Sequence, residues 1–289
     1  MQLCLTTHCP VNDQYLLGVD FSSAPTHRKP ITVAVGLMPT TTDPVYRLQT
    51  IREIETLEAF ECMLTEPLRW IGGFDLPFGQ PRTLIEHERW PTQWNEFVHF
   101  FCGQSRKYLR ETFCDWCNAH PPGNKFAWRK TDRPAGSSPA MRWTNPPVAW
   151  MMHAGIGRML EAGLAFPAHR YPRKRSHIKR IALEAYPGFT ARKIIRGSYK
   201  SDSPAKQTHE RKDRRKLILD AISTGEAGLS ICLEANRRWR QRIIADARGD
   251  LLDAVICSLQ AGHAALQRNF GLPRNLDTLE GWIASVPVR

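Results

Sequence analysis

The stretch Ala247–Ala261, ARGDLLDAVICSLQA, constrains the fold more than any other part of the chain. Leu251, Leu252, Val255, Ile256 and Leu259 cover one broad side of a helix at this spacing, and Ala254, Cys257 and Ala261 form a narrow stripe of small side chains. A helix apolar around most of its circumference must be buried, and a stripe of small residues lets its backbone approach a sheet closely. Asp250 and Asp253 lie inside this segment. A buried carboxylate without a partner is costly, so each must meet water, a hydrogen-bond donor or a cation.

The same residue type punctuates the expected strands. QYLLGVDFSSAP is an apolar run ending in Asp20 and a turn, and ITVAVGLM follows as the second arm of a hairpin. A third strand is expected around 45–51, then a helix near 54–64, and WIGGFDLPFGQP supplies a fourth strand containing Asp75. IKRIALEAYP gives a fifth, ending at Glu184. A basic helix, the polar loop GSYKSDSPAKQTHE, and helices near 211–224, 230–247 and 249–269 are expected after it. Each acid alone reads as a satisfied turn residue. If the strands are neighbours, three carboxylates converge at one sheet edge, and Asp250 and Asp253 can join them. Such a cluster raises its members' pKa values unless a cation sits among them, and oxygen ligands favour Mg²⁺ or Mn²⁺.

The net charge of +12 is concentrated: residues 170–216 hold 16 Lys or Arg against 4 Asp or Glu, which accounts for the whole excess. Such a run is either a solvated face or a polyanion-binding one. Arg192, Lys193, Arg211, Lys212, Arg214 and Arg215 are its candidate nucleic-acid contacts. The start of the chain has no basic, apolar leader pattern and no run reaches the roughly 18 apolar residues of a membrane span, so a soluble, cytoplasmic protein with reduced cysteines is expected.

Residues 82–170 are rich in Trp, Pro and Arg, with helices expected near 93–117 and 147–163, and read as an insertion or cap. Its tryptophans are either core or stacking platforms for bases. Cys114, Cys117 and His120 in CDWCNAH, with His99 and Cys102 upstream, have spacing compatible with zinc, but a single cluster on a helical stretch is equally a pair of small core residues. FSSAPTHRKP lacks the glycines of a phosphate loop, which counts against kinases and actin-like ATPases; no Walker loop, G-x-G-x-x-G fingerprint or G-x-S-x-G elbow occurs.

GVD in the first strand, GFDLPFGQP at the end of a later one, EAYP, and a closing helix of form D-x-x-D-A-x-x-x-S resemble the family of RNase H-like nucleases catalogued as domain of unknown function 429. The closing helix is also similar to the last catalytic helix of Holliday-junction resolvases. The resemblance implies one α/β domain over 1–289 with an RNase H-like fold: a five-stranded mixed sheet, helices on both faces, and the helical insertion at about 82–170. It implies a catalytic set of Asp20, Asp75, Glu184, Asp250 and Asp253, in which Asp20 bridges two metal ions and Asp75, Asp250 and Asp253 complete their ligands. The implied activity is hydrolysis of nucleic-acid phosphodiester bonds by two Mg²⁺ or Mn²⁺ ions. The competing expectations are a non-catalytic nucleic-acid-binding protein of the same fold, and a hydrolase of small phosphoesters.

Overall fold

The computed structural model describes residues 14–169 and 178–288. Cys4, Cys9 and the basic residues Arg170, Arg173, Lys174 and Arg175 lie outside the described residues.

The first three strands, β1 (Tyr15–Asp20), β2 (Ile31–Leu37) and β3 (Val45–Ile54), form an antiparallel meander. Helix α1 (Leu57–Thr65), capped by the Thr56 side chain accepting from the Ala59 N–H, returns the chain so that β4 (Trp70–Asp75) pairs parallel with β1. Next come α2 (Arg82–His87), α3 (Trp94–Gly103), α4 (Arg106–Asn118), the single turn α5 (Asp132–Ala135) and α6 (Val148–Glu161). Strand β5 (Arg180–Glu184) then adds parallel to β4. It is followed by α7 (Pro187–Ile194), α8 (His209–Thr224), β6 (Cys232–Glu234), α9 (Arg237–Ala245) and α10 (Asp250–Ala265).

The result is an α/β protein with a mixed six-stranded sheet, ordered β5-β4-β1-β2-β3-β6. The sixth strand corrects the expectation of five. It falls in the stretch read as a helix from about residue 230, because three residues are too few to show alternation. The helix there begins only after Asn236, whose side chain accepts from the Trp239 N–H. Similarly, the helix expected near 93–117 is two, since Ser105 caps α4 by accepting from the Tyr108 N–H. Among the described residues no helix is long and apolar enough to cross a membrane.

Side-chain alternation sends Leu17, Val19, Phe74 and Ala182 to one face of the sheet, where they join Phe97, Phe101, Phe113 and Met152 in one core cluster. Residues 82–169 therefore build the second helical layer and share the sheet's core. Trp90, Trp94 and Trp116 are buried within it, which answers for these three the question of core or stacking platform.

The opposite face carries α10. All residues from Asp250 to Gly262 are buried. The close approach rests on two glycines that are register partners, Gly18 of β1 and Gly73 of β4. A Cβ on Gly18 would fall 1.9 Å from the Ala254 carbonyl oxygen and 2.2 Å from the Ser258 nitrogen, and one on Gly73 would fall 2.2 Å from the Cys257 carbonyl oxygen. The small-residue stripe thus meets a groove of glycines. Gly18→Ala should cost about 3 kcal/mol in urea unfolding, because the added methyl would meet the backbone of α10. Gly103→Ala, whose Cβ meets nothing within 4 Å, should be neutral or stabilising. Equal effects at the two positions would contradict direct contact between helix and sheet.

A late segment closes the molecule around residues 82–132. The Asp277 carboxylate pairs with the Arg82 guanidinium at 2.6 and 2.7 Å, and Glu280 accepts from the Arg82 and Lys130 backbone N–H groups, each at 2.9 Å. The Ile283 N–H donates to Thr131 Oγ1, and the Ala284 N–H to the Glu184 carbonyl.

Candidate active site

Asp20 and Asp75 are opposite one another at the ends of two parallel neighbours, β1 and β4. Each lies two residues beyond a glycine that faces α10, so alternation puts both carboxylates on that same face. Helix α10 begins after Gly249, which has a φ of +80°, and carries Asp250 and Asp253 in its first turn. Four acids predicted from sequence are thereby brought to one place.

Their electrostatics agree with the geometry. Burial pushes the Asp20 carboxyl well above its ordinary value; Lys200 opposes this, while Asp253, Asp250 and Asp75 add to it. Burial also raises Asp75 to about 7, with Lys200 opposing and Asp253 and Glu184 adding. Asp250 is raised to about 6 by burial and by Asp246, against Arg248. Among the described residues no hydrogen-bond donor reaches the carboxylate of Asp20 or Asp75. The buried Oδ2 of Asp250 also accepts no hydrogen bond, although Arg248 Nε stands 3.2 Å away.

Asp253, fully buried, is served by two residues that sequence reading missed. The Tyr199 hydroxyl donates to Oδ1 and the Lys200 ammonium to Oδ2. Burial alone would depress Lys200, but Asp253, Tyr199, Asp20 and Asp75 outweigh it and hold the amine protonated. Both residues lie in the polar loop between α7 and α8, where nothing in composition distinguishes them. Three arginines of α8 hold this loop by successive carbonyls: Arg214 to Ser198 at 3.0 Å, Arg215 to Tyr199 at 2.7 Å and Arg211 to Lys200 at 3.0 Å.

That contact revises the reading of the basic segment. Arg215, expected at a nucleic-acid surface, is 3% exposed and also donates to the Ile244 carbonyl. Arg211 and Arg214 spend donors on the loop, and Arg192 donates to the Ala135 carbonyl and the Tyr186 hydroxyl. Lys193 stands 4.3 Å over the Phe189 ring, and Lys212 is exposed. The i, i+3, i+4 spacing of Arg211, Arg214 and Arg215 was the available signal that they share one face.

Glu184 departs from the catalytic set. It is the register partner of Phe74, not of Asp75, so its side chain leaves from the other face. Arg129 donates to its two oxygens at 2.6 and 2.8 Å, and the Phe78 N–H adds a bond at 3.0 Å. Arg129 also pairs with Asp132 at 2.8 Å, and all three side chains are buried. Glu184 is therefore a structural partner, with no oxygen free for a metal. A cavity of about 70 Å³ lies between the two acids, lined by Asp75, Glu184, Arg129, Ser137, Ser138 and Tyr186 among others, with room for a few waters.

Asp20, Asp75, Asp250 and Asp253 are the residues whose chemistry suits a divalent cation: all donate oxygen, and three are held above their ordinary pKa values with unsatisfied oxygens. Among the described residues, however, no three Asp, Glu, His or Cys side chains already stand as a ligand set for one ion, and Lys200 supplies the positive charge. The zinc spacing gains nothing from the fold. Cys117 belongs to the core cluster, and His120 stacks 4.3 Å from Trp116.

Asp75 offers a pH test. Its folded value of about 7 exceeds the ordinary one, so the folded chain holds a proton that the unfolded chain releases. Its contribution is fully favourable below about pH 4 and is lost as pH rises through about 7. His169, lowered by burial to about 3, runs in the opposite sense, so the measurement is the difference between parent and Asp75→Asn. In metal-free buffer the variant should gain on the order of 2–4 kcal/mol relative to the parent across that window. A difference that does not change with pH would count against the buried, charge-crowded environment of Asp75.

Comparison with known proteins finds no matching family model, no matching curated protein and no matching solved structure.

Proposed function

We propose that this chain is a metal-dependent nuclease of RNase H-like fold, hydrolysing phosphodiester bonds with the carboxylates of Asp20, Asp75, Asp250 and Asp253. The observation that carries the reading is the convergence of these acids at the ends of β1 and β4 under α10, where the buried Oδ2 of Asp250 accepts no hydrogen bond among the described residues. The mixed sheet with helices on both faces is consistent with such a fold. The four acids would hold Mg²⁺ or Mn²⁺, which when bound activates water and stabilises the leaving oxygen. Tyr199 and Lys200 orient Asp253 through both of its oxygens, and α8 fixes the loop that carries them. The excess of positive charge, +12 over the chain, suits a polyanionic substrate, and a cytoplasmic site of action belongs to the same proposal.

A second reading, a nucleic-acid-binding protein without catalysis, draws on Lys200, because an ammonium among the acids neutralises them without any metal. Cleavage assays with and without Mg²⁺ or Mn²⁺ on single-stranded, duplex and branched DNA, on RNA and on nucleotides separate the two. Metal-dependent cleavage lost in Asp20→Asn supports the nuclease. Tight binding with no cleavage of any substrate supports the rival, and hydrolysis confined to nucleotides points to a small phosphoester hydrolase.

A further inference from the structure

Helix α9 carries Arg237, Arg238, Arg240 and Arg242, and no acid stands between Asn236 and Ala245. Part of this charge is neutralised inside the fold. Arg240 pairs with Asp220 at 2.5 Å, and Asp220 also holds Lys216 at 3.3 Å. Glu234 stands 3.5 Å from Arg47, which also takes Asp43 at 2.6 Å. Arg242 lies over the Trp239 ring at 4.6 Å, with Glu53 at 4.0 Å. Arg237 and Arg238 are exposed and have no ion pair or hydrogen bond among the described residues. Asp213 and Glu226 are the unpaired acids of the neighbouring α8 and the turn after it, and they do not cancel the excess: from His209 to Ala245 there are 9 Lys or Arg against 5 Asp or Glu, a balance of +4.

The two free arginines give the helix itself nothing, because positive charge in a first turn opposes the helix dipole. They are displayed on a fixed element all the same. The Trp239 Nε1–H donates to the Gln49 carbonyl of β3 at 3.3 Å, Arg240 donates to Ser223 Oγ of α8 at 2.8 Å, and Ile243 is buried. Arg238 and Arg242, four residues apart, share the outward side with Arg237 beside them. Resting on the nucleic-acid partner of the reading above, we propose that this face of α9 is the docking surface for the phosphate backbone of nucleic acid. The helix is about 13 Å long, roughly four phosphate spacings of one strand. Its C-terminal end leads through Gly249 into α10, so a backbone lying along it is directed toward the acids. The surface expected on α8 is replaced by this one, since Arg211, Arg214 and Arg215 are committed to carbonyls of the loop.

Fluorescence anisotropy of labelled duplex DNA and of single-stranded RNA with the full-length chain, in EDTA over a series of salt concentrations, tests the surface without cleavage. Arg237→Gln combined with Arg238→Gln should weaken binding by about 10-fold and lower the log–log salt slope by about 1.8 on the duplex or about 1.4 on the single strand. Lys107→Gln combined with Arg110→Gln removes the same net charge from an exposed part of α4 and should leave the slope near the parent's. Circular dichroism checks folding; if the first double variant does not fold, Arg238→Gln alone, with about half the slope change, decides. An unchanged slope in the folded α9 variant, an equal loss in the α4 variant, or a parent that binds phosphatidylserine vesicles and neither nucleic acid would overturn the proposal. Cleavage with Mg²⁺, scored on the same samples, keeps the two readings apart. Binding and cleavage both unchanged in the α9 variant removes this surface alone, whereas a parent that neither binds nor cleaves removes the nuclease reading with it.

Discussion

Asp253→Asn should lower metal-dependent cleavage by about 10³-fold or more, because an ion's ligation is worth several kcal/mol of transition-state stabilisation. The substitution keeps the shape of the side chain, and its amide oxygen can still accept from the Tyr199 hydroxyl. What it removes is a charge toward Lys200, which keeps Asp20 and Asp75 as neighbours. Neither Arg180 nor Arg192 serves as a partner for this buried acid. Both are engaged elsewhere: Arg180 donates to the Leu64 and Ala162 carbonyls, and Arg192 to the Ala135 carbonyl and the Tyr186 hydroxyl. Relief of repulsion among the acids offsets the weakened lysine pair, so metal-free stability should stay within about 1–2 kcal/mol of the parent. Thermal melts with and without Mg²⁺ give the comparison. A loss of about 3–5 kcal/mol in metal-free buffer would make Asp253 a structural counter-ion and remove α10 from the catalytic account.

Arg129→Met should destabilise the fold by about 3–5 kcal/mol, since it leaves Glu184 and Asp132 buried with no cation between them. Arg129 is 2% exposed, and it also donates to the Glu280 carbonyl at 3.2 Å, so one guanidinium joins β5, α5 and the late closing segment. Glu184→Gln should cost less, because the amide oxygen still accepts from Arg129 and a net negative charge is relieved. Urea unfolding of the two variants orders them. A loss below about 1 kcal/mol for Arg129→Met would show that protonation of the acids substitutes for the arginine.

The parts of this architecture that were legible in the sequence are those written in local periodicity. The circumference of α10, with its stripe of small residues, specified burial against a sheet, and the three strands closing on Asp20, Asp75 and Glu184 specified acids at strand ends. Glu184 was then misplaced because face is decided by parity across strands, and pairing with Phe74 in place of Asp75 is a register that no single strand encodes. Lys200 and Tyr199 were invisible for a different reason: a polar loop acquires its role only when α8 and α10 fasten it. Arg215 misled because a run of basic residues looks solvated until the carbonyls that bury it are known.

Assembly of the molecule has to wait for its closing segment. Arg82 and Lys130 find their acceptors in Asp277 and Glu280 about 150–200 residues later in the chain. During synthesis the helices of 82–169 emerge with their aromatic faces long before these anchors exist, and closing so long a loop is entropically slow. Until residues 277–284 follow, Arg82 and Lys130 lack these acceptors, and the layer is held to the sheet by its shared core. The segment 277–284 acts as the latch that completes this seating.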